Sequence, residues 1–367
     1  MQIRNILSAA LLLAAPGVLS APAPLGDALD SRATGPCNSP LERKEWRDLT
    51  KAQRLAYINA VKCLQSKPAK TGSTYPGAKS RYDDFQALHI AMTERIHFVG
   101  QFLPYHRQLL ALYETELRNT CGYNGAQPYW DWTKDVKNFT ASPVFDPVYG
   151  FGGNGEWLED ITGLPVTSLA PGPLARTGGG CVTNGPFASR QIPMGPGKST
   201  DYTPHCLRRD FVPTLTASKL STPEVQYERS ASTYAEYSQR VELVSLNPDL
   251  SGMTTHGAGH FGVGGMVGEM SDMYSSPGDP LFWLHHAQLD NLWNTWQMQN
   301  WPARKSDIGG PDTMWGGPFN VINPYVGTIP YKNITLDFAL EYPLMAPTVK
   351  IRDVMDVSAP NLCYKYA

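Results

Sequence analysis

The chain has 367 residues, of which 42% are hydrophobic and 17% charged, below the roughly 25% charge of an average globular protein. This length allows one large domain or two small ones, and the low charge excludes disorder driven by charge repulsion. The 31 Lys and Arg nearly balance the 33 Asp and Glu without any block of like charge, so nothing in the composition indicates binding to nucleic acid or to a membrane surface.

The first 20 residues have the pattern of a secretory signal peptide. Arg4 precedes an apolar run over residues 6–19, which ends in small residues before Ala21. This run is shorter than the ~20 apolar residues that cross a bilayer, and no later run is long enough. We therefore expect a signal peptide over 1–20, a flexible lead-in over 21–36 and a secreted single domain over 37–367.

Helical periodicity recurs along the chain. Apolar residues at every third or fourth position predict helices over 50–65, 82–94, 104–118 and 280–299. Residues 138–225 are rich in Gly, Pro, Ser and Thr and are predicted to be mostly loop. After about residue 310, short runs with β-branched residues, such as 348–351, predict a few strands. The fold class expected from these patterns is mainly helical, with long loops and a few short strands.

Two kinds of residue fit an exported protein. In an oxidising compartment an even number of cysteines favours disulfides, and the sequence does not choose among the possible pairings of Cys37, Cys63, Cys121, Cys181, Cys206 and Cys363. No Cys-x-x-Cys pair is present, which disfavours a thiolate metal site. Cys181 and Cys206 lie where a tie across the long loop would be useful. Asn138 and Asn333 begin Asn-x-Thr sequons, the acceptors of N-glycosylation when they lie on the surface.

The histidines carry the strongest chemical signal. His256 and His260 are four residues apart, so on a helix both imidazoles would lie on one face, as two ligands of one metal ion require. His89, His97 and His106 lie on or between two predicted helices, and a helical hairpin could bring them together. Imidazole ligands suit copper, zinc, iron or nickel. Any single histidine could be an ordinary core or surface residue, but this alternative fits the whole set poorly.

Three segments resemble signature motifs of the tyrosinase, catechol oxidase and haemocyanin family. Residues 279–290 (DPLFWLHHAQLD) resemble its second copper signature, and residues 97–107 (HFVGQFLPYHR) resemble the first. Residues 128–132 (PYWDW) are another typical segment, and the three occur in the family's order. The resemblance covers about 81–292 and, more loosely, extends to 363–366 (CYKY), which looks like the tyrosine motif that closes the catalytic domain. It is closest to short, secreted fungal members.

This resemblance implies a four-helix bundle around a dinuclear copper centre. The implied ligands are His89, His97 and His106 for copper A, and His256, His260 and His286 for copper B. In the signature the ligand is the histidine four residues before the aspartate, which favours His286 over His285. His285 would then lie near the substrate opening. His205 matches no copper position, and a structural hydrogen bond in a loop is expected for it.

The resemblance also suggests which residues surround the metals. Asp131 and Asp290 are candidates to orient imidazoles through hydrogen bonds, although either could equally cap a helix or join a surface ion pair. Candidates for the substrate pocket are Gly257, Phe261, Phe282 and His285, with Phe102 as a further wall. Aromatic residues with this spacing also commonly belong to a core.

Two positions depart from the family pattern. Arg95 stands where many members carry a cysteine that forms a thioether with the second copper A histidine, so no such bond is expected. Gly257 stands where efficient monophenol hydroxylases often carry an Asn, which holds a water together with an upstream Glu, and Asp249 is the only nearby carboxylate. Gly257 also disfavours a zinc protease, which needs a Glu at that position. Gly257 and the lack of an acid over residues 251–255 favour oxidation of o-diphenols or o-aminophenols over hydroxylation of tyrosine.

The resulting hypothesis is a secreted type-3 copper oxidase, or polyphenol oxidase. It would convert o-diphenols or o-aminophenols to o-quinones while oxygen is reduced to water, with monophenol hydroxylation as a weaker activity. Its cofactors would be two copper ions, and its partners molecular oxygen and a phenolic small molecule, with no nucleic acid and no membrane. The alternatives are a pathway-specific tyrosinase of fungal secondary metabolism or pigment formation, and a haemocyanin-like oxygen carrier. No feature of the sequence indicates an oligomeric state. Because the chain ends just after the tyrosine motif, we expect maturation without removal of a C-terminal extension.

Overall fold

The computed structural model describes residues 37–165, 174–242, 252–315 and 330–367. The predicted signal peptide, the lead-in over 21–36 and Asp249 lie outside these residues. Within the described ranges, no helix is both long enough and apolar enough to cross a bilayer.

The fold is mainly helical, as the sequence predicts. In the described ranges the helices are α1 (Lys51–Ser66), α2 (Arg81–Ile96), α3 (Phe102–Cys121), α4 (Pro213–Lys219), α5 (Thr222–Arg229), α6 (Tyr234–Glu242), α7 (Thr255–Gly264), α8 (Leu281–Met298) and α9 (Trp301–Arg304). Helices α1, α2, α3 and α8 match the four helices predicted from apolar periodicity to within three residues at each end. Helix α7 contains His256 and His260 and gives them the helical spacing expected of them.

Local sequence signals explain where these helices begin and end. Thr50 accepts a hydrogen bond from the backbone N–H of Gln53, whose side chain in turn accepts from the N–H of Thr50. Ser80 and Asp83 form the same reciprocal pair at the start of α2, so two N–H groups at each helix start gain partners. Helix α3 ends at Gly122, whose φ of 65° is left-handed and carries no penalty in a residue without a Cβ.

Short helices within and after the predicted loop were missed. Helix α4 and the first half of α5 lie inside residues 138–225, and α6 follows. Pro213 and Pro223 each stand in the first turn of a helix, where the missing N–H costs nothing, although proline also marks loops. Helix α6 buries Tyr234, Tyr237 and Val241 at helical spacing, a pattern that nine residues display only briefly.

The described strands form four two-stranded sheets. Their bounds are β1 (Leu41–Arg43), β2 (Gly155–Trp157), β3 (Gly179–Val182), β4 (Gln191–Ile192), β5 (His205–Cys206), β6 (Ala339–Tyr342), β7 (Ala346–Lys350) and β8 (Tyr364–Tyr366). Strands β1 and β8 pair in parallel, whereas β2–β3, β4–β5 and β6–β7 are antiparallel. The strand predicted over 348–351 corresponds to β7, which ends one residue earlier because Ile351 begins a 3-10 helix.

All six cysteines are paired, which confirms the expectation of disulfides. The bonds are Cys37–Cys363, Cys63–Cys121 and Cys181–Cys206. The first closes the chain next to the β1–β8 pair, and the second joins α1 to the end of α3. The third joins β3 to β5 and so ties the long excursion before α4, where the sequence analysis expected a tie.

An aromatic core holds α2, α3 and α8 together. The rings of Tyr113 and Trp283 stack with centroids 3.8 Å apart, and Phe85 meets both rings edge-on. The Trp283 indole N–H donates to the hydroxyl of Tyr82 at 3.1 Å, so this buried polar group has a partner. These contacts fix the mutual orientation of three helices that carry histidines.

A buried ionic cluster connects the same helices to the chain ends. Asp290 accepts from Arg107 Nε at 2.6 Å, lies 3.3 Å from Arg43 Nη1, and accepts from the hydroxyl groups of Tyr364 and Tyr366. Both arginine side chains are fully buried. The cluster therefore joins β1, α3, α8 and β8 through one carboxylate.

Candidate metal centre

Three histidines meet where α2 and α3 form a hairpin. His89 lies on α2, His97 caps its C-terminal end, and His106 lies on α3. One nitrogen from each ring lies within 4.8 Å of the others, and all three side chains are buried. The hairpin therefore brings together the first set of histidines, as the sequence analysis expected.

The Nδ1 atoms of this group are held by backbone carbonyls. His97 Nδ1 donates to the carbonyl of Thr93 at 3.0 Å, and His106 Nδ1 donates to that of Phe102 at 2.9 Å. His89 Nδ1 donates to the carbonyl of Tyr274, which lies in a distant loop, at 2.7 Å. Because a carbonyl can only accept, each Nδ1 carries the proton and each Nε2 keeps its lone pair for a metal ion.

A second group lies on α7 and α8. It comprises His256, His260, His285 and His286, again with ligand atoms within 4.8 Å of one another. The Nε2 atoms of His260 and His286 are 3.1 Å apart. Two nitrogens that bind one ion tetrahedrally at ~2.0 Å would lie about 3.3 Å apart, so this spacing fits a shared metal ion. His260 Nδ1 donates to the carbonyl of Met270 at 2.6 Å, which fixes its orientation.

His285 and His286 are adjacent but differ in their contacts. His285 Nε2 donates to the carbonyl of His256 at 3.1 Å, and its ring packs closely against Gly259. A Cβ at position 259 would lie 2.1 Å from Cε1 of His285, so the glycine makes room for this ring. The Nε2 of His286 instead faces His260. Of the two rings, His286 is the one directed at the second group's shared space.

The two groups of histidines face each other across two phenylalanines. The rings of His106 and His286 stack with centroids 4.5 Å apart. Phe282 lies 4.1 Å from the His286 ring and 5.2 Å from the His89 ring, and Phe102 lies 4.6 Å from His256 and 4.8 Å from His106. Both phenylalanines are buried and contact rings of both groups, so they seal the space around the histidines.

Burial keeps these imidazoles neutral. Loss of solvation lowers the pKa of His89 to about 3 and that of His260 to about 4, although each ring also donates to a carbonyl. Burial also lowers the pKa of the other five well below the usual range of histidine. Neutral rings with free Nε2 lone pairs are the form that binds a metal ion. In the described residues the buried Nε2 atoms of His89, His106 and His256 have no hydrogen-bond partner.

A pocket opens beside the two groups. Its lining comprises His97, Phe98, His256, Gly257, His260, Phe261, Met270, Ser271, Asp272, Met273 and Ser276. Gly257 and Phe261, two of the expected pocket residues, are among them. Phe282 and His285 are not, because Phe282 lies between the histidine groups and His285 lies between α7 and α8.

Neither aspartate expected to orient an imidazole does so. Asp290 binds the arginines and tyrosines of the ionic cluster instead. Asp131 caps a 3-10 helix by accepting from Thr133 N, and it lies 3.6 Å from Lys134 Nζ and 3.4 Å from Gln288 Nε2. The alternative of a helix cap in an ion pair is therefore correct for Asp131. Backbone carbonyls support the rings in place of these carboxylates.

Sequence reasoning missed the loop that supports both groups. The loop over residues 269–278 supplies the carbonyl of Met270 to His260 and that of Tyr274 to His89. Every residue has a carbonyl, so no side-chain pattern in the sequence identifies these two. Glu242 was also missed: its buried carboxylate accepts from the N–H of Phe98 at 2.6 Å, next to His97. Burial raises the pKa of Glu242 well above its usual range.

Glu228 should make the stability of the protein depend on pH. Its buried carboxyl accepts from Thr255 Oγ1 at 2.7 Å, and burial raises its pKa from 4.5 to about 8. The folded state therefore keeps a proton that the unfolded state loses above pH ~4.5, so stability falls as pH rises from there to about 8. Glu228→Gln removes this cost, so we expect its free energy of unfolding at pH 7 to exceed that of the wild type by about 3 kcal/mol.

Urea unfolding at pH 4.5, 7 and 8.5 measures this effect. The advantage of Glu228→Gln should be near zero at pH 4.5 and grow with pH. An advantage that is the same at all three values would mean that Glu228 is not protonated in the folded state.

The remaining predicted positions have distinct surroundings. His205 lies on β5 with Nδ1 2.8 Å from the carbonyl of Thr203 and Nε2 2.6 Å from Glu269, which confirms a structural hydrogen bond. Arg95 is exposed and lies 3.1 Å from Glu341. The two sequon asparagines are exposed, as glycosylation requires, and glycosylation itself stays a prediction.

Comparison with known proteins gives one consistent family. Residues 79–299 match the family described as the common central domain of tyrosinase. The chain is 34% identical over 359 residues to N-acetyl-6-hydroxytryptophan oxidase of Emericella nidulans, covering 88% of this chain and 91% of that protein. It is also 34% identical over 350 residues to Tyrosinase P of Aspergillus terreus, covering 90% and 93%.

A solved structure agrees with the sequence matches. A variant of polyphenol oxidase from Thermothelomyces thermophila superimposes with a TM-score of 0.77 at 34% identity, covering 93% of this chain and 92% of that one. The match therefore extends well beyond the central region that carries the histidines.

Proposed function

The chain belongs to the tyrosinase family of oxidases, and we propose that it is a secreted enzyme with two copper ions that oxidises o-diphenols or o-aminophenols to o-quinones. The observation that carries this proposal is the pair of facing histidine groups, each with neutral rings and Nε2 atoms directed inwards. Imidazole nitrogens without thiolate or carboxylate ligands suit copper.

We assign His89, His97 and His106 to the first copper ion and His256, His260 and His286 to the second. When bound, the two ions would supply the electron transfer between the phenol and oxygen, with oxygen reduced to water. The protein's part is to hold the six rings in one tautomer and to exclude water from their apolar side. Backbone carbonyls do the first for His89, His97, His106 and His260, and Phe102 and Phe282 do the second.

The pocket supports a phenolic substrate. It is lined by His97, His256 and His260 together with Phe261 and Gly257, and we propose that a phenol approaches the histidines from this side. Because Gly257 offers no side-chain amide to hold a water, we propose that o-diphenol oxidation is faster than hydroxylation of monophenols. The buried carboxylate of Glu242 accepts from the backbone N–H of Phe98, the residue after His97.

A pathway-specific role is the second candidate function. Its support is the similarity to N-acetyl-6-hydroxytryptophan oxidase, a protein whose name gives a modified amino acid as substrate. Under this proposal the chain would act on one phenol of a fungal secondary metabolite or pigment. Export is supported by the N-terminal pattern and by three disulfides, which persist in oxidising compartments.

Copper content and oxidation products together test the proposal. The full chain, expressed in a secreting host, should contain about two copper ions and convert catechol and o-aminophenol rapidly, with L-tyrosine reacting much more slowly. Copper analysis, oxygen consumption and quinone absorbance measure this. Copper-loaded protein that binds oxygen reversibly without forming quinone from any phenol would instead indicate a carrier. Fast hydroxylation of tyrosine would contradict the proposed preference for diphenols.

A further inference from the structure

One charged side chain lines the pocket described above. Among the described lining residues only Asp272 carries a charge, since the histidines there are neutral and the others are apolar, small or hydroxylated. Asp272 is partly exposed, so its charge lies at the surface of the pocket and not in the core. Among the described side chains that line the pocket, Asp272 therefore supplies one fixed negative charge and none supplies a positive charge; the charge of the proposed copper ions is added at the histidine end and is the same for every substrate and variant compared below.

The undescribed segments of the domain cannot supply a balancing cation. Residues 166–173, 243–251 and 316–329 contain neither Lys nor Arg, and their one charged residue, Asp249, is acidic. Whatever path these segments take, they can leave the charge of the pocket unchanged or make it more negative.

The carboxylate of Asp272 is held in place by three backbone groups. Its Oδ1 accepts from the N–H groups of Tyr274 and Ser275 at 2.8 Å each, and its Oδ2 accepts from the N–H of Gly197 at 2.7 Å. These donors are dipoles and leave the net charge of the carboxylate intact. Asp272 forms no ion pair with any described residue. A group held this firmly acts on a substrate from a constant position.

The nearest basic residue along the adjacent loop is already paired. Lys198, which follows Gly197, forms an ion pair with Glu94, and its ammonium lies 5.4 Å from the centre of the Tyr274 ring. The pair is neutral as a unit, so it does not cancel the charge of Asp272.

We propose that Asp272 makes the pocket select phenols whose side chain carries a cationic amine over phenols whose side chain carries a carboxylate. This inference rests on the proposed function and names the substrate class of the same site. In the proposed binding mode the two catechol hydroxyls face the histidines, and a substituent para to one of them extends towards the pocket lining that includes Asp272. At a separation of roughly 6–8 Å and an intermediate dielectric constant, attraction of one substrate and repulsion of the other give a discrimination of about tenfold or more.

Three catechols that differ in one substituent test the inference. Dopamine carries an ammonium group, 3,4-dihydroxyphenylacetate carries a carboxylate, and 4-ethylcatechol is neutral. In the copper-loaded wild type, kcat/KM should be highest for dopamine and lowest for 3,4-dihydroxyphenylacetate, with a ratio of roughly tenfold between them. Raising the ionic strength to 0.5 M should reduce this ratio, because the pocket opens to solvent.

Asp272→Asn separates the charge from the structural role. The amide oxygen can still accept from Tyr274 and Ser275, whereas the contact to Gly197 is lost, so some activity towards all three catechols can be lost together. The ratio of kcat/KM for dopamine to that for 3,4-dihydroxyphenylacetate cancels this common loss, and we expect it to fall about tenfold. Asp201→Asn is the matched control: it removes one exposed carboxylate from the loop after Lys198, outside the pocket, and should leave the ratio unchanged.

Each contrary result has a separate meaning. Three results would overturn the assignment of selectivity to Asp272: a wild-type ratio at or below one, an unchanged ratio in Asp272→Asn, or an equal change of the ratio in Asp201→Asn. If 4-ethylcatechol is still oxidised in these cases, the proposed function stands. Copper-loaded protein that oxidises none of the three would overturn the proposed function and this inference with it.

Discussion

His286→Ala is expected to lose one of the two copper ions and to lower catechol oxidation by more than ~100-fold. Loss of an outer hydrogen-bond partner of a ligand typically lowers metal affinity or activity by roughly 10- to 100-fold, and loss of a ligand itself should exceed this. The Nε2 of His286 lies 3.1 Å from that of His260, so its removal leaves the second group with two inward rings. Copper analysis and quinone formation measure the two effects.

His285→Ala is the matched control, because both histidines are buried on the same turn of α8. His285 Nε2 donates a hydrogen bond to the carbonyl of His256, and the His285 ring fills the space beside Gly259. We expect this variant to lose stability through the cavity but to keep both copper ions. If His285→Ala loses copper and His286→Ala keeps it, the assignment of the second group's third ligand is reversed.

Asp290→Ala is expected to destabilise the fold by about 3–5 kcal/mol, the usual effect of removing one partner from a buried ion pair. The substitution leaves Arg107 buried without a described carboxylate partner, whereas Arg43 keeps its buried ion pair with Glu114 at 3.1 Å. Burial by itself would raise the pKa of Asp290, but the charges of Arg107 and Arg43 outweigh it and lower that pKa. The carboxylate therefore stabilises the folded state above pH ~4, and this contribution is lost as pH falls through the lowered value.

Urea unfolding at pH 7 with the disulfides intact measures the loss. Asp337→Ala is the control, since this exposed carboxylate pairs with Lys350 and Arg352 at the surface and its removal should leave the unfolding midpoint unchanged. Equal stability of Asp290→Ala and the wild type would mean that solvent or another group neutralises Arg107. The folded variant should keep its copper content, because no described hydrogen bond joins Asp290 to an imidazole.

Predictions from sequence succeeded where the signal is local or carried by a motif. The long helices show in apolar spacing, and Thr50 and Ser80 mark helix starts by their side-chain chemistry. The two histidine sets follow from i, i+4 spacing and from the signature motifs, and the described residues bring both sets together.

Predictions failed where the partner is distant or lacks a side-chain signal. Asp290 lies one turn after His286, yet its partners Arg43 and Tyr364 lie 247 and 74 residues away along the chain. The carbonyls of Met270 and Tyr274 orient two rings, but a carbonyl has no sequence signature. Short helices that begin with proline were taken for loop because proline serves both structures.

The sequence by itself determined the kind of chemistry this protein can perform. It contains a fixed inventory of imidazoles, with helical spacing that places pairs of them on one face, and that inventory does not depend on long-range packing. It also determined the family and the mainly helical class.

Only the tertiary structure decided which groups hold the rings, how the cysteines pair and what lines the pocket. Each of these depends on segments that are far apart in the chain, such as 269–278 with α2 and α7, or Cys37 with Cys363. Asp272 shows the same principle: in the sequence it is an ordinary turn residue, and it becomes the one charged side chain among the described lining residues because the loop that supports the histidines also forms the wall beside them.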